Sequence, residues 1–318
     1  FGYMEHLFRD QCHGTNRILS HLLALCLSLG LLPAAGHAQS ENLNEAERLE
    51  FADGLYVRGM HDLAIREYES YLRDFPHSDK TDRVLFRLGE CQRQRGDKSA
   101  AEKLFGRVFK DFPASPFRLK AGFRRADLFM EAGLKDAAID LYKTVLNEKP
   151  PDDIASASLY FLGVAYAARE MPREAVETFQ EVTRRFPTSP FNGFAQLKLG
   201  ELYGLEARTG GADAEAKLKK AIEHYEAVAA KPDSPRVGAE ALFQIAEIHF
   251  GRGAYEQSAA AYRRLLDQYP DDTRSSEAVL QAAWAAHHAG LYAEALGRAE
   301  AKLKSLDGAA RSEWLYLK

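Results

Sequence analysis

Cysteine is scarce in this chain: three residues in 318, at Cys12, Cys26 and Cys91. The first two lie in a segment that reads as removable, so the remaining chain keeps Cys91 alone and has no internal disulfide. A lone cysteine inside a helical stretch reads as a small core residue. Net charge is slight, −4, which argues against a general nucleic-acid binder. Beyond Leu32 no apolar run approaches the roughly 20 residues that span a bilayer. Chemistry-bearing motifs are missing too. There is no glycine-rich phosphate loop, helical metal-ligand motif or G-x-S-x-G elbow. His287 and His288 are adjacent, so on a helix they diverge by about 100° and cannot share a metal without distortion. These absences imply no enzyme, no cofactor and no metal.

What is present is a pattern, clearest from Ser158 to Pro187. Leu162, Gly163 and Tyr166 sit at helical spacing, a break follows at Met171-Pro172, and Ala175, Phe179 and Val182 continue to Phe186-Pro187. This reads as a helix, a tight turn and a second helix, closed by a proline that cannot continue it. Small Gly163 and Ala175 let the two backbones approach closely. The pattern recurs. Closing prolines fall at Pro76, Pro113, Pro150, Pro187, Pro232 and Pro270, the first four 37 residues apart. Twelve residues before the proline stand Ala64, Ala101, Ala138 and Ala175; eight before it stand Tyr68, Phe105, Tyr142, Phe179 and Tyr262. A further position, read as the turn, holds Gly89, Gly163 and Gly200, replaced elsewhere by Ala52, Ala126, Ala246 and Ala283.

The order Leu-Gly, Tyr, Ala, Phe, Pro resembles the tetratricopeptide repeat (TPR). The resemblance covers about residues 45–308. It implies an all-α fold, a right-handed α-α superhelix (TPR solenoid) of about seven helix-turn-helix repeats of ~37 residues. The repeats span 45–76, 80–113, 117–150, 154–187, 191–232, 236–270 and 275–306. Between them, Ser115-Pro116, Ser189-Pro190 and Ser234-Pro235 pair an N-cap serine with a first-turn proline. This F/Y-P-x-S linker is similar to that of periplasmic TPR proteins of bacterial envelopes. Two such groups are the lipoprotein of the outer-membrane β-barrel assembly machinery and the TPR protein of the Tol-Pal system.

Outside the array, Arg9 and Arg17 precede a fifteen-residue apolar run, Ile18 to Leu32, and Gly36 and Ala38 fit the −3 and −1 pockets of signal peptidase. Residues 1–38 therefore read as a secretory signal peptide cleaved after Ala38, with 39–44 a short linker. Cys26 follows Leu25 in mid-run, which argues against lipidation. Phe1 before Met4, and the apolar cluster Trp314 to Leu317 just before Lys318, suggest truncation, so 309–318 reads as the start of a further helix. In repeat five the first helix runs on to about Ala207. Thr209 to Asp213 makes the turn, and Asp213 is placed to cap a lengthened second helix through Ala230. That insertion is either a tolerated loop expansion or a hairpin that touches a partner.

Solenoids of this kind bind extended or helical peptides on first-helix faces. In the family's register the groove position holds Phe86, Phe123, Tyr160 and Phe243, with Leu49, Leu197 and Leu280 elsewhere and Tyr56, Phe250 and Trp284 close by. Packing between repeats explains the same spacing, and both readings stand here. Arg83, Arg87, Lys120 and Arg124 make repeats two and three basic, while Glu240, Glu247 and Glu277 make repeats six and seven acidic. That asymmetry either orients a partner or is ordinary solvated helix surface, with Arg87 and Glu90 pairing at i,i+3. Family members that clamp a terminal carboxylate carry asparagine at the ninth position of the first helix. Here that position holds Asp53, Glu90, Asp127, Val164, Glu201, Glu247 and Trp284, so the clamp is not implied. The expected role is an exported, non-catalytic scaffold that binds proteins or peptides in the periplasm. A structural subunit of an outer-membrane assembly or Tol-Pal-like complex, or the binding region of a longer envelope enzyme, are the alternatives.

Overall fold

The computed structural model describes residues 43–230 and 235–303. Among them are fourteen helices and no strand. In chain order they are α1 (Glu45–Val57), α2 (His61–Asp74), α3 (Thr81–Arg95), α4 (Lys98–Asp111), α5 (Arg118–Glu131), α6 (Lys135–Asn147) and α7 (Asp152–Ala168). There follow α8 (Pro172–Arg185), α9 (Phe191–Arg208), α10 (Ala214–Ala229), α11 (Pro235–Gly251), α12 (Tyr255–Gln268), α13 (Thr273–His288) and α14 (Tyr292–Leu303). The expected leader 1–38, the stretch 309–318, Pro232 and Ser234 lie outside the described residues. The chain divides into two compact units, one up to Val145 and one from Leu146.

Within each unit the helices pack in consecutive pairs, each on the next in the chain. The reason lies in how their apolar residues are spaced. Second helices bury one narrow stripe, as Ala64, Ile65, Tyr68 and Tyr71 do on α2 and Ala101, Phe105 and Val108 on α4. First helices bury two faces because they are flanked on both sides. On α3, Val84, Leu88 and Cys91 join Tyr68 and Tyr71 of α2, while Leu85 and Phe86 join Phe105 of α4. The recurring alanines Ala64, Ala101, Ala138 and Ala175 are wholly buried, at points where a larger side chain would push two helices apart. Each fully buried ring contributes roughly 1.5–3 kcal/mol of transfer free energy.

The position read as the turn is elsewhere. Gly89, Gly163 and Gly200 lie in the middle of α3, α7 and α9, and a Cβ there would fall 2.7, 2.7 and 2.5 Å from the rings of Phe105, Phe179 and Tyr225. These glycines are seats for the second-helix ring. The true turns use Gly59, Gly96, Gly133, Gly253 and Gly290, all at positive φ, with Glu170 at φ 57 in the equivalent place of the 154–187 pair. A left-handed backbone there reverses the chain between helices.

Ser115 and Ser189 are not the helix N-caps expected of them: those positions are Phe117 in α5 and Pro190 in α9, neither with a side-chain cap, and the two serines bond within the preceding turn instead. Ser115 Oγ accepts from the Phe117 amide at 3.0 Å and Ser189 Oγ from the Phe191 amide at 3.2 Å. Pro116 and Pro190 stand before α5 and α9 instead of inside their first turns. The lengthened hairpin of α9 and α10 forms as expected, but Asp213 makes no side-chain cap. Its carboxylate instead takes the Lys217 ammonium at 3.1 Å, a bond that holds the carboxyl below its ordinary range. The hairpin leans on the following helices through Arg252 with Glu215 and through the two-bonded Arg264–Glu226 pair at 2.7 and 3.0 Å.

Candidate functional site

First-helix faces are where the sequence places a partner, so the geometry of those residues matters most. Phe86, Phe123, Tyr160 and Phe243 are buried, between 2% and 6% exposed. Each meets the ring of its own second helix: Phe86 on Phe105 at 5.6 Å, Phe123 on Tyr142 at 6.0 Å, Tyr160 on Phe179 at 5.7 Å, and Phe243 on Tyr262 at 5.8 Å. Phe86 also stacks on Phe117, and Tyr160 packs on Phe191, the residues that open the next first helix. These four rings are the glue within and between repeats. They offer no free face to a ligand, because the first helix has helices on both sides. Trp284 differs; it is only half-buried.

The basic residues are engaged in the same way. Arg83 pairs with Asp53 of the preceding first helix. Arg87 lies 4.5 Å over the Tyr56 ring, and Lys120 lies 5.7 Å from the Phe86 ring centre. Arg124 and Glu90 form a buried pair at 2.9 Å. In the second unit Arg274 holds Glu240 at 2.9 Å, reaches Glu277 at 3.5 Å and covers the Phe243 ring at 4.9 Å. In each unit, then, a cation of one first helix rests on the carboxylate or ring of the one before it. Glu90 thus has a partner 34 residues away on the next first helix.

Acids at the ninth position, which set aside the carboxylate clamp, have a structural use. Tyr68 on α2 donates to Asp53 Oδ1 at 2.5 Å, and Tyr262 on α12 donates to Glu247. Where the ring is Phe179, lacking a hydroxyl, the ninth position is Val164. Glu90, whose second-helix ring is Phe105, pairs with Arg124 instead, and Asp127 takes no tyrosine bond either. It is buried, its Oδ1 has no hydrogen-bond partner, and burial pushes its carboxyl up to about 6 against the pull of Arg124 and Arg93. Burial likewise pushes the Cys91 thiol up to about 12, so it is an inert core group.

A cluster that the sequence reading split into separate residues lies in the second unit. Phe250 meets Tyr255 edge-on at 5.3 Å, Tyr255 stacks on His288 at 4.8 Å, and His288 stacks on Trp284 at 5.9 Å. His287 packs edge-on against Tyr292 at 5.5 Å. The signal was a spacing of five: Tyr56 with His61, Phe250 with Tyr255, and His287 with Tyr292 each join the end of one helix to the start of the next. His287 and His288 thus serve as rings. Among the described residues no group of three His, Cys, Asp or Glu could hold a metal ion, and no helix is long and apolar enough to cross a membrane.

The comparisons with known proteins agree with this architecture. A tetratricopeptide-repeat family profile matches residues 123–190 and 212–273, and a second profile of the same family matches 83–115. No curated protein matches significantly. Among solved structures, a tetratricopeptide repeat protein from Parabacteroides merdae is 17% identical, with TM-score 0.55, covering 86% of this chain and 98% of that one. The pilF protein of Pseudomonas aeruginosa is 12% identical, with TM-score 0.52, covering 73% and 95%. At such identities the likeness is one of fold. Paired helices, ring-seating glycines, closing prolines and the matching profiles lead to one assignment: the chain belongs to the tetratricopeptide-repeat family.

Proposed function

We propose that this chain is an exported, non-catalytic scaffold that binds a protein or peptide partner in a bacterial cell envelope. The observation that carries the binding role is the repeat array itself. Its described residues are helix pairs whose buried chemistry is used to hold neighbouring pairs together. Arrays of this kind present extended surfaces on which partners lie. The envelope assignment draws on the basic, apolar and small-residue pattern of residues 1–38 and on the F/Y-P-x-S linkers.

Expression in a Gram-negative host, N-terminal sequencing and affinity capture from the periplasm test both parts. Protein that begins at Gln39 and retains a defined set of periplasmic partners through washing is the expected result. A chain left intact in the cytoplasm, or cut at Cys26 with lipid attached, overturns the export reading. Capture of nothing above the background of an unrelated helical protein overturns the scaffold reading. A partner complex that stays with outer membranes through urea washing identifies the chain as an assembly subunit.

A further inference from the structure

In the second unit a row of rings runs over the junction of α11, α12, α13 and α14. Phe250 ends α11, Tyr255 opens α12, and His288 and Trp284 follow on α13, with Tyr255, His288 and Trp284 stacked at interplanar angles of 25°. Phe250, Tyr255 and Trp284 are half-buried and His288 is exposed. Trp284 stands one repeat beyond Glu247, at the same ninth position of adjacent, packed first helices. Glu247 is exposed and accepts from the neutral Tyr262 hydroxyl, and among the described residues no cation pairs with it. Glu256, beside Tyr255, is exposed as well.

We infer that this ring row is a docking platform for an arginine-bearing segment of the partner protein. The inference rests on the scaffold reading and names the chemistry of what is bound. Aromatic faces attract a cation within about 6 Å, and a guanidinium is flat enough to stack on them. The Glu247 carboxylate supplies the charge-assisted acceptor that fixes its direction. An apolar partner would have to desolvate that carboxylate without compensation. An acidic partner would be repelled by Glu247 and Glu256. In the first unit the equivalent ring, Tyr56, already carries a cation, Arg87, at 4.5 Å. The chain itself thus shows the geometry that the second unit offers to a partner.

The test uses the full chain and three synthetic peptides of one extended sequence, carrying arginine, citrulline or glutamate at two positions, with binding followed by calorimetry at low salt. The arginine peptide should bind about tenfold more tightly than the citrulline copy, and the glutamate copy should not bind. Trp284→Leu and Glu247→Gln should each weaken the arginine peptide about fivefold. Glu247→Gln keeps an acceptor for Tyr262, so it stands as the test if Trp284→Leu fails to fold. Equal binding of arginine and citrulline copies overturns the inference, as does arginine binding unchanged in both variants or absent from the parent. If captured partners remain bound to those variants, the scaffold reading survives that failure; if no partner is captured at all, both fall.

Discussion

Tyr68 donates its hydroxyl hydrogen to Oδ1 of Asp53 at 2.5 Å, while the other oxygen of that carboxylate takes the guanidinium of Arg83. One acid thus ties α1 to α2 and α3. The Tyr68 ring is wholly buried, so Tyr68→Phe keeps the packing and removes only the donor. Hydrogen bonds to a charged group are worth about 1.5–3 kcal/mol when one partner is lost. Urea denaturation should show a loss of about that size. An unchanged midpoint would mean that Arg83 alone satisfies Asp53.

Phe123 tests whether the aromatic ladder holds the fold or holds a ligand. It is 2% exposed and packs against Tyr142, so Phe123→Ala should cost about 3–5 kcal/mol of stability. Thermal melting gives the answer directly. A variant that melts with the parent while losing partner binding would restore the groove role for this ring.

Asp127 should make the first unit pH-sensitive in an unusual direction. Its carboxyl sits at about 6 in the folded chain, chiefly through burial, against about 4 when unfolded. The neutral acid is therefore the form that folding favours. Its contribution is complete below about pH 4 and is lost as pH rises through about 6, a span on the order of 2–3 kcal/mol. Asp127→Asn removes that loss, so the variant should gain on the parent between pH 4.5 and 7. Parallel stability curves over that range would refute the assignment.

Glu170 occupies a left-handed backbone, φ 57, where the equivalent turns carry Gly59, Gly96, Gly133, Gly253 and Gly290. A side chain there is strained and glycine is not. Glu170→Gly should raise stability by about 0.5–1 kcal/mol, in spite of the greater freedom of glycine in the unfolded chain. A lower denaturation midpoint would show that Glu170 makes a compensating contact.

The period, the helix pairs and the closing prolines were legible because each depends on local chemistry. A proline stops a helix wherever it stands, and an apolar stripe at helical spacing marks one face of a helix whatever covers it. The alanines twelve residues before the prolines could be read as close-approach sites for the same reason. The glycines could not be placed so simply. Gly89 and Gly163 look like turn residues by type, and only a ring 2.7 Å from their absent Cβ explains them as seats inside helices. The turn glycines at Gly59, Gly96 and Gly133 also recur every 37 residues, yet their role follows from φ, not from identity.

The chemistry of the first-helix faces was decided by the tertiary structure. A residue such as Phe123 has the same spacing whether it lines a groove or a core. Its burial depends on where Tyr142 lies, a placement that no stretch of sequence contains. The charges follow the same rule: Arg124 and Glu90 are 34 residues apart, and only the stacking of one first helix on another makes them a pair. The sequence by itself determined the repeat, because a helix and its stop are written within a few adjacent residues. The structure alone decided which side chains bind the repeats to one another and which rings gather around Trp284, because those relations are set by helix packing across a whole repeat.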